Sequence, residues 1–390
     1  MHTRTTMIFG AVLASATLVV GGCTTSGEPE PAYSSAPAYQ SSSSASSSAV
    51  VAAGPGCIST VVDKLSTRRK LAQMLMVGVK DTADAKAIVA KERIGGIFVG
   101  SWTDKAILTS GAVKGLSAGR IPVMVSVDQE GGRVSRLKAI GIDSPAPREL
   151  ATTKTPKQVH DLAFGIGKQL AALGVTVDFA PVIDVSDQDA DTVIGDRSFS
   201  NDPVVVTKYG RAFASGLRDA GILPVLKHFP GHGHGSGDSH TGTVRTPPLS
   251  ELMTSDLVPW RTLARMPGVA AMVGHLIVPG LTGDELPASV NPAAISMLRT
   301  GRGYNGPAFH GVIFSDDLSG MAAITEKYPI EQAAPMALAA GSDIALWLTT
   351  DKVSAVLDAL EKAVANGKLS MEHVDASVTR ILRAKKMPRC

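Results

Sequence analysis

Four of the chain's nine histidines fall in one short stretch, Leu226–His240, which reads LKHFPGHGHGSGDSH and also carries Lys227 and Asp238. Residues of these types could hold a metal, cradle a phosphate or move a proton. Zinc needs three or four N, S or O ligands in fixed geometry, but here glycines separate the donors, and no HExxH pair occurs. A phosphate cradle of the GxxxxGK[ST] kind is also missing. Proton transfer by histidine remains, beside a plainer reading as a Gly-rich surface loop. Net charge is +3 with scattered basic residues, and aromatics make up only 4%. No basic run is interleaved with aromatics, which argues against a nucleic-acid partner.

The loop acquires meaning from the elements around it. Short apolar runs alternate with amphipathic stretches: Met74–Val79, Gly95–Gly100, Val123–Asp128, Val175–Val182, Pro224–Phe229, Val269–His275, Gly311–Asp316 and Asp343–Leu348. Each is bounded by Gly or Pro and rich in large or β-branched residues, as buried parallel strands are. Between them, Lys157–Gly174 places Val159, Leu162, Ala163, Ile166, Leu170 and Leu173 on one helical face, and the last helix groups Val374, Val378, Ile381 and Leu382. Eight such units predict an α/β fold, a single (β/α)8 TIM-type barrel over residues 57–390. A doubly wound open sheet is the alternative, and no GxGxxG follows the first strand.

Barrel chemistry sits at the C-terminal ends of strands. Polar residues follow the apolar runs there: Asp128 after the third, Lys227 and His228 after the fifth, His275 after the sixth, and Ser315–Asp317 after the seventh.

KHFPGHG, four residues, then DSH resembles the signature of the glycoside hydrolase family 3 β-N-acetylglucosaminidases. VDQEGGRVSR, FAPVIDV, IGDRSF and FSDDL resemble further blocks of that family in the same order. The resemblance implies a retaining exo-β-N-acetylglucosaminidase acting on peptidoglycan fragments without a cofactor or metal. Asp316 matches the nucleophile, a carboxylate that traps an oxocarbenium-like transition state. His240 matches the acid/base, oriented by Asp238. Histidine suits that task because its ordinary pKa lies near working pH. Asp128 is expected to accept hydrogen bonds from sugar hydroxyls, and Arg136, Arg197, Lys227 and His228 to donate to hydroxyls or the acetamido group. Glu130 and Arg133 read as scaffolding, Asp317 as support pointing away from Asp316, His232 as loop packing and His234 as solvent-exposed. His275 faces the site without an assigned role. Gly233, Gly235 and Gly237 are expected to let the loop swing. After SDDL the chain reads SGMAAI, one small residue longer than is usual for the family, which bears on the fine shape of the pocket. Only about 40 residues follow the eighth run, too few for a second domain, so the proton donor is expected from the barrel itself.

Residues 1–22 have the length and small-residue ending of a secretory signal. The ending VGGC resembles a lipobox, which makes Cys23 the expected lipid anchor to the outer face of a bacterial membrane. Residues 23–56 are Ser, Ala and Pro in bulk and read as a disordered tether. Cys57 and Cys390 bracket the domain, and an exported protein could keep a disulfide between them. Two other functions share this sequence: phosphorolysis at the same site, and sugar binding without catalysis. The expected partners are GlcNAc-containing cell-wall saccharides and, through the anchor, the membrane.

Overall fold

The computed structural model describes residues 56–387; the expected signal peptide, Cys23 and Cys390 lie outside the described residues. Cys57 sits in the first helix, Gly56–Lys64, and is disulfide-bonded. Among the described residues, no helix is long and apolar enough to cross a membrane.

Eight parallel strands close into a barrel: β1 (Leu75–Gly78), β2 (Gly96–Phe98), β3 (Met124–Val127), β4 (Val177–Asp178), β5 (Leu223–Phe229), β6 (Ala270–Val273), β7 (Ile313–Asp317) and β8 (Ile344–Trp347). Each pairs with its sequence neighbours, and Leu75 opposite Ala345 closes β1 on β8. Every apolar run of the sequence supplies one strand, so the single-barrel fold holds. The run predicted as Val175–Val182 shortens to two residues. Pro181 has no N–H to give the ladder, yet Ala180 and Ile183 still bond to β5, Val225 N–H to Ala180 O at 3.0 Å and Ile183 N–H to Lys227 O at 2.8 Å.

The helices pack their apolar faces on this barrel. In α1 (Pro156–Ala172), Val159, Ala163, Ile166 and Leu170 are buried, and a capping box between Thr155 and Gln158 fixes the start. In α2 (Met371–Ala384), Val374, Val378, Ile381 and Leu382 are buried. Phe98, Phe179 and Phe314 fill the barrel axis, with ring centroids 5.8 and 5.4 Å apart along the chain of contacts.

Two irregularities govern the site. Between β5 and β6, Leu226 pairs with Ala271 but Phe229 with Val273, so β5 carries one extra residue at Lys227–His228. Between β7 and β8, Phe314 pairs with Ile344 but Asp317 with Leu346, so β7 carries one at Ser315–Asp316. These are β-bulges, which re-aim side chains near the ends of strands.

Candidate active site

In a regular strand, consecutive side chains face opposite sides. The two bulges break that alternation where it matters. Lys227 and His228 both line a single cavity of about 660 Å³ at the C-terminal mouth of the barrel, and so do Asp316 and Asp317. Asp317 thus borders the same cavity as Asp316, while its carboxylate is engaged by the turn that follows β7. The ladder is remade by side chains: Leu346 N–H donates to Ser315 Oγ at 3.0 Å. Phe98 and Phe179 give the cavity an apolar floor.

Asp316 is buried, and its one hydrogen bond among the described residues comes from Asp317 N–H, 2.9 Å from Oδ1. Burial pushes its pKa up, but the positive potential of His228 and His275, the Asp317 N–H and Lys227 together hold it below the ordinary aspartate value. It is thus ionised and under-bonded. Asp317 differs. Its Oδ1 accepts from Ser319 N–H (2.8 Å) and Oγ (3.0 Å), and its Oδ2 from Gly320 N–H (2.8 Å). Burial, with help from the Asp316 charge, still raises it to about 6. Asp317 is the support it was expected to be. Gly320, within the SGMAAI segment, closes this turn, and a Cβ there would collide with Asp317 Oδ2. His275 holds the same strand end: Nε2 lies 2.7 Å from the Asp317 carbonyl and Nδ1 2.6 Å from Ser289 Oγ.

Opposite, a lattice of charges is almost wholly buried. Lys227 Nζ bridges Asp128 Oδ1 at 2.7 Å and Glu130 Oε1 at 2.6 Å. Arg197 reaches the same Glu130 through Nε and Nη2, both at 2.8 Å. Burial opposes charge on Glu130, but Arg197 and Lys227 outweigh it and hold its carboxyl far below the usual range. The bidentate pair fixes the guanidinium plane. Glu130 is the scaffold expected from the sequence, and so is Arg133, whose Nε meets Asp196 Oδ1 at 3.0 Å and whose remaining donors cap the carbonyls of residues 191–194. Arg197 keeps only part of its donor set for a sugar. Arg136 lines the cavity, and its guanidinium has no ion pair among the described residues.

Three carboxylates were missed by the sequence reading. Asp184 is fully buried and accepts from His228 N–H (3.1 Å), His228 Nδ1 (2.7 Å) and His232 N–H (2.8 Å). It thereby leaves Nε2 of His228 as the nitrogen without a partner among the described residues. Asp256, also buried, takes His234 Nδ1 at 2.8 Å. His234 is therefore held by a buried partner and is only partly exposed, rather than free in solvent as expected. Asp178 accepts from Gln129 N–H at 2.9 Å while its Oδ2 has no partner among the described residues, and burial pushes its carboxyl well above the ordinary value. For Asp178 and Asp184 a signal was present: an aspartate inside an apolar run, as in FAPVIDV, must find buried donors. His232 packs beneath the loop as expected, and burial pushes it down to about 4.

His240 stands apart from these buried groups. Its ring is exposed at the rim of the cavity, and Nδ1 lies 2.8 Å from Asp238 Oδ1, which also accepts the His240 N–H at 2.9 Å. Burial raises Asp238, but these two bonds outweigh it and keep the carboxylate ionised. Among the described residues Nε2 has no partner and can serve a ligand. The three loop glycines differ in their surroundings. A side chain at Gly233 would strike the Val185 backbone and one at Gly235 the Val244 side chain, whereas nothing lies within 4 Å at Gly237. Of these three glycines only Gly237, beside Asp238, has open space around it. The tip is also docked: Ala323 N–H donates to the Ser239 carbonyl at 3.0 Å, which ties the histidine loop to the segment that follows β7. All eight residues expected to act on substrate thus line one cavity.

Comparison with known proteins places the chain in a family. The model of the glycosyl hydrolase family 3 N-terminal domain matches residues 66–384. Beta-hexosaminidase LpqI of Mycobacterium tuberculosis is 53% identical over 378 residues, covering 96% of each chain. The crystal structure of a GH3-family glycosyl hydrolase from Mycobacterium smegmatis is 57% identical with a TM-score of 0.81, over 83% of this chain and 98% of that one. A GH3 β-N-acetylglucosaminidase from Paenibacillus is 31% identical with a TM-score of 0.75, over 83% of this chain and 62% of that one. The chain belongs to glycoside hydrolase family 3 and is a glycosidase.

Proposed function

We propose that this β-hexosaminidase is a retaining exo-β-N-acetylglucosaminidase that removes terminal GlcNAc from peptidoglycan fragments at the outer face of the membrane, held there by lipid on Cys23. The observation that carries the chemistry is the pairing, in one cavity, of an under-bonded buried carboxylate with an exposed imidazole already oriented by a carboxylate. Two acid/base groups of different character flanking one glycosidic bond are what double displacement requires.

In the first step Asp316 attacks the anomeric carbon and the C–O bond to the aglycone breaks. Protonated His240 gives its Nε2 proton to the departing oxygen, and a glycosyl ester on Asp316 results. In the second step neutral His240 takes a proton from water, whose oxygen attacks the anomeric carbon and expels Asp316. Asp238 keeps the His240 ring in one orientation and stabilises its charged form in both steps. Asp128, Lys227 and His228 hold the sugar on the opposite wall. Their geometry is fixed before substrate arrives, which lowers the ordering cost of binding.

An aryl N-acetyl-β-glucosaminide tests the assignment. Wild type releases the phenol, Asp316→Ala does not, and His240→Ala is slowed by roughly 10²–10⁴ on poor leaving groups and much less on good ones. Equal rates in all three would sink it. Product analysis on muropeptides with and without phosphate separates free GlcNAc from GlcNAc-1-phosphate. Membrane fractionation of Cys23→Ser against the unaltered chain tests the lipid anchor.

A further inference from the structure

The opposite end of the barrel carries a surface of different chemistry. Two adjoining cavities of about 610 and 220 Å³ open among the N-terminal ends of β3 to β7 and share Leu223, Gly268, Arg383 and Ala384. Arg218, Arg265, Arg380, Arg383, Lys385 and Lys386 line them, and among the described residues no aspartate or glutamate does.

These cations are not equivalent. Arg380 is matched by buried Asp343 at 2.8 Å and Arg218 by Asp219 at 3.0 Å. Lys385 donates to Gln73 Oε1 at 2.7 Å and faces no carboxylate. Three exposed cations remain. Arg265 Nε and Lys386 Nζ reach only backbone carbonyls, of Arg261 (3.1 Å) and Gly221 (3.0 Å), and Arg383 has no side-chain partner among the described residues. Between them the surface is apolar and exposed at Pro267 and Ala308. Uncompensated cations spread over two cavities, with apolar residues between, suit a wide and multivalent anionic partner. They do not converge as they would on one small anion.

We propose that this basal face rests on an anionic lipid headgroup surface, with Arg265, Arg383 and Lys386 against lipid phosphates. Because these residues lie at the N-terminal strand ends and the catalytic cavity at the C-terminal ends, the active site then opens away from the membrane. The proposal rests on the exported, membrane-held reading above. Basic residues near an anionic leaflet each contribute about fivefold in partitioning, and the attraction decays within a Debye length.

The test uses the full chain with Cys23→Ser, so that no lipid contributes, and vesicles of phosphatidylcholine with or without phosphatidylglycerol. Binding is expected only with phosphatidylglycerol and should disappear as salt is raised. A triple variant, Arg265→Glu, Arg383→Glu and Lys386→Glu, should bind on the order of a hundredfold more weakly while hydrolysing the aryl substrate at the wild-type rate, which also shows that it is folded. Equal binding to both vesicle types, or equal binding by wild type and triple variant, overturns the proposal. Binding to soluble polyphosphate without binding to vesicles does so as well. Membrane fractionation of the Cys23-containing triple variant reports on the lipid anchor alone, so the two readings fail separately.

Discussion

Asp316 and Asp343 are both buried carboxylates, one at the C-terminal end of β7 and the other at the N-terminal end of β8, and they have opposite fates. Asp343 is saturated. Oδ2 accepts from Ile313 N–H (2.8 Å) and Arg299 Nη2 (2.7 Å), and Oδ1 from Ser377 Oγ (2.7 Å) and Arg380 Nε (2.9 Å). It staples α2 to two strands and has no lone pair to offer a ligand. Asp316 has one donor and a cavity in front of it. Burial alone does not make a carboxylate reactive. What differs is the number of partners that the fold supplies, and at β7 the bulge withholds them.

Replacing each aspartate should break the two ends in different ways. Asp316→Ala should lower kcat by roughly four to six orders of magnitude, since removing one member of a concerted set abolishes most of its effect. Its stability should not fall, because a buried charge with a single hydrogen bond is removed. Hydrolysis rates beside a urea titration check both statements. A large loss of stability in this variant would mean that Asp316 is a structural anchor like Asp343.

Asp343→Ala should do the reverse. Two arginines, partly buried, lose their shared carboxylate, and breaking such a buried pair costs about 3–5 kcal/mol. The midpoint of denaturation should drop accordingly, while kcat per folded molecule is retained.

The contrast between the two ends was only partly legible in the sequence. All eight strands were, because parallel barrel strands are buried on both faces and read as unbroken apolar runs. The rim residues Asp128, Lys227, His228 and Asp316 were legible for the same reason, as polar types that end such runs. The bulges were not. An extra residue in a strand is a property of pairing with the neighbour, and nothing in SDD or LKH announces it. Hence the sequence did not show that Asp317 borders the same cavity as Asp316. Asp184 and Asp256 escaped notice because each acts on groups distant in sequence, and His234 was misplaced because its partner Asp256 lies 22 residues on. Family resemblance named the residues that touch sugar but not the ones that hold them.

Asp317 offers a finer comparison within the mouth of the barrel. Its carboxyl is raised to about 6 in the fold from an ordinary 3.8. Below pH 4 it is protonated in both states and costs nothing. As pH rises past the unfolded value the unfolded chain releases its proton first, so stability falls between about pH 4 and 6, by roughly 1.4 kcal/mol per unit and at most about 3 kcal/mol in all. Asp316, Glu130 and Asp184 have lowered values and act in the opposite sense, losing stability as pH falls. Comparing wild type with Asp317→Asn isolates the one slope. The difference in unfolding free energy should shift in favour of the variant as pH rises across that window, and a flat difference would mean that Asp317 is ionised throughout.

The smallest effect belongs to the basal end. Arg383 is exposed and has no side-chain partner among the described residues, so Arg383→Glu should change stability by no more than about 0.5 kcal/mol. It lies at the opposite ends of the strands from Asp316, and bulk water and salt screen the intervening field, so aryl-glycoside hydrolysis in solution should be unaltered. The same substitution at a matched cation would not be silent. Arg380→Glu would set a second carboxylate against Asp343 and should destabilise strongly. Measuring the pair in one denaturation series therefore asks whether the basal charges are truly of two kinds: one that holds the barrel shut from below, and one that the fold does not need. If Arg383→Glu proves as damaging as Arg380→Glu, the uncompensated cations are structural and the contrast between the two ends disappears.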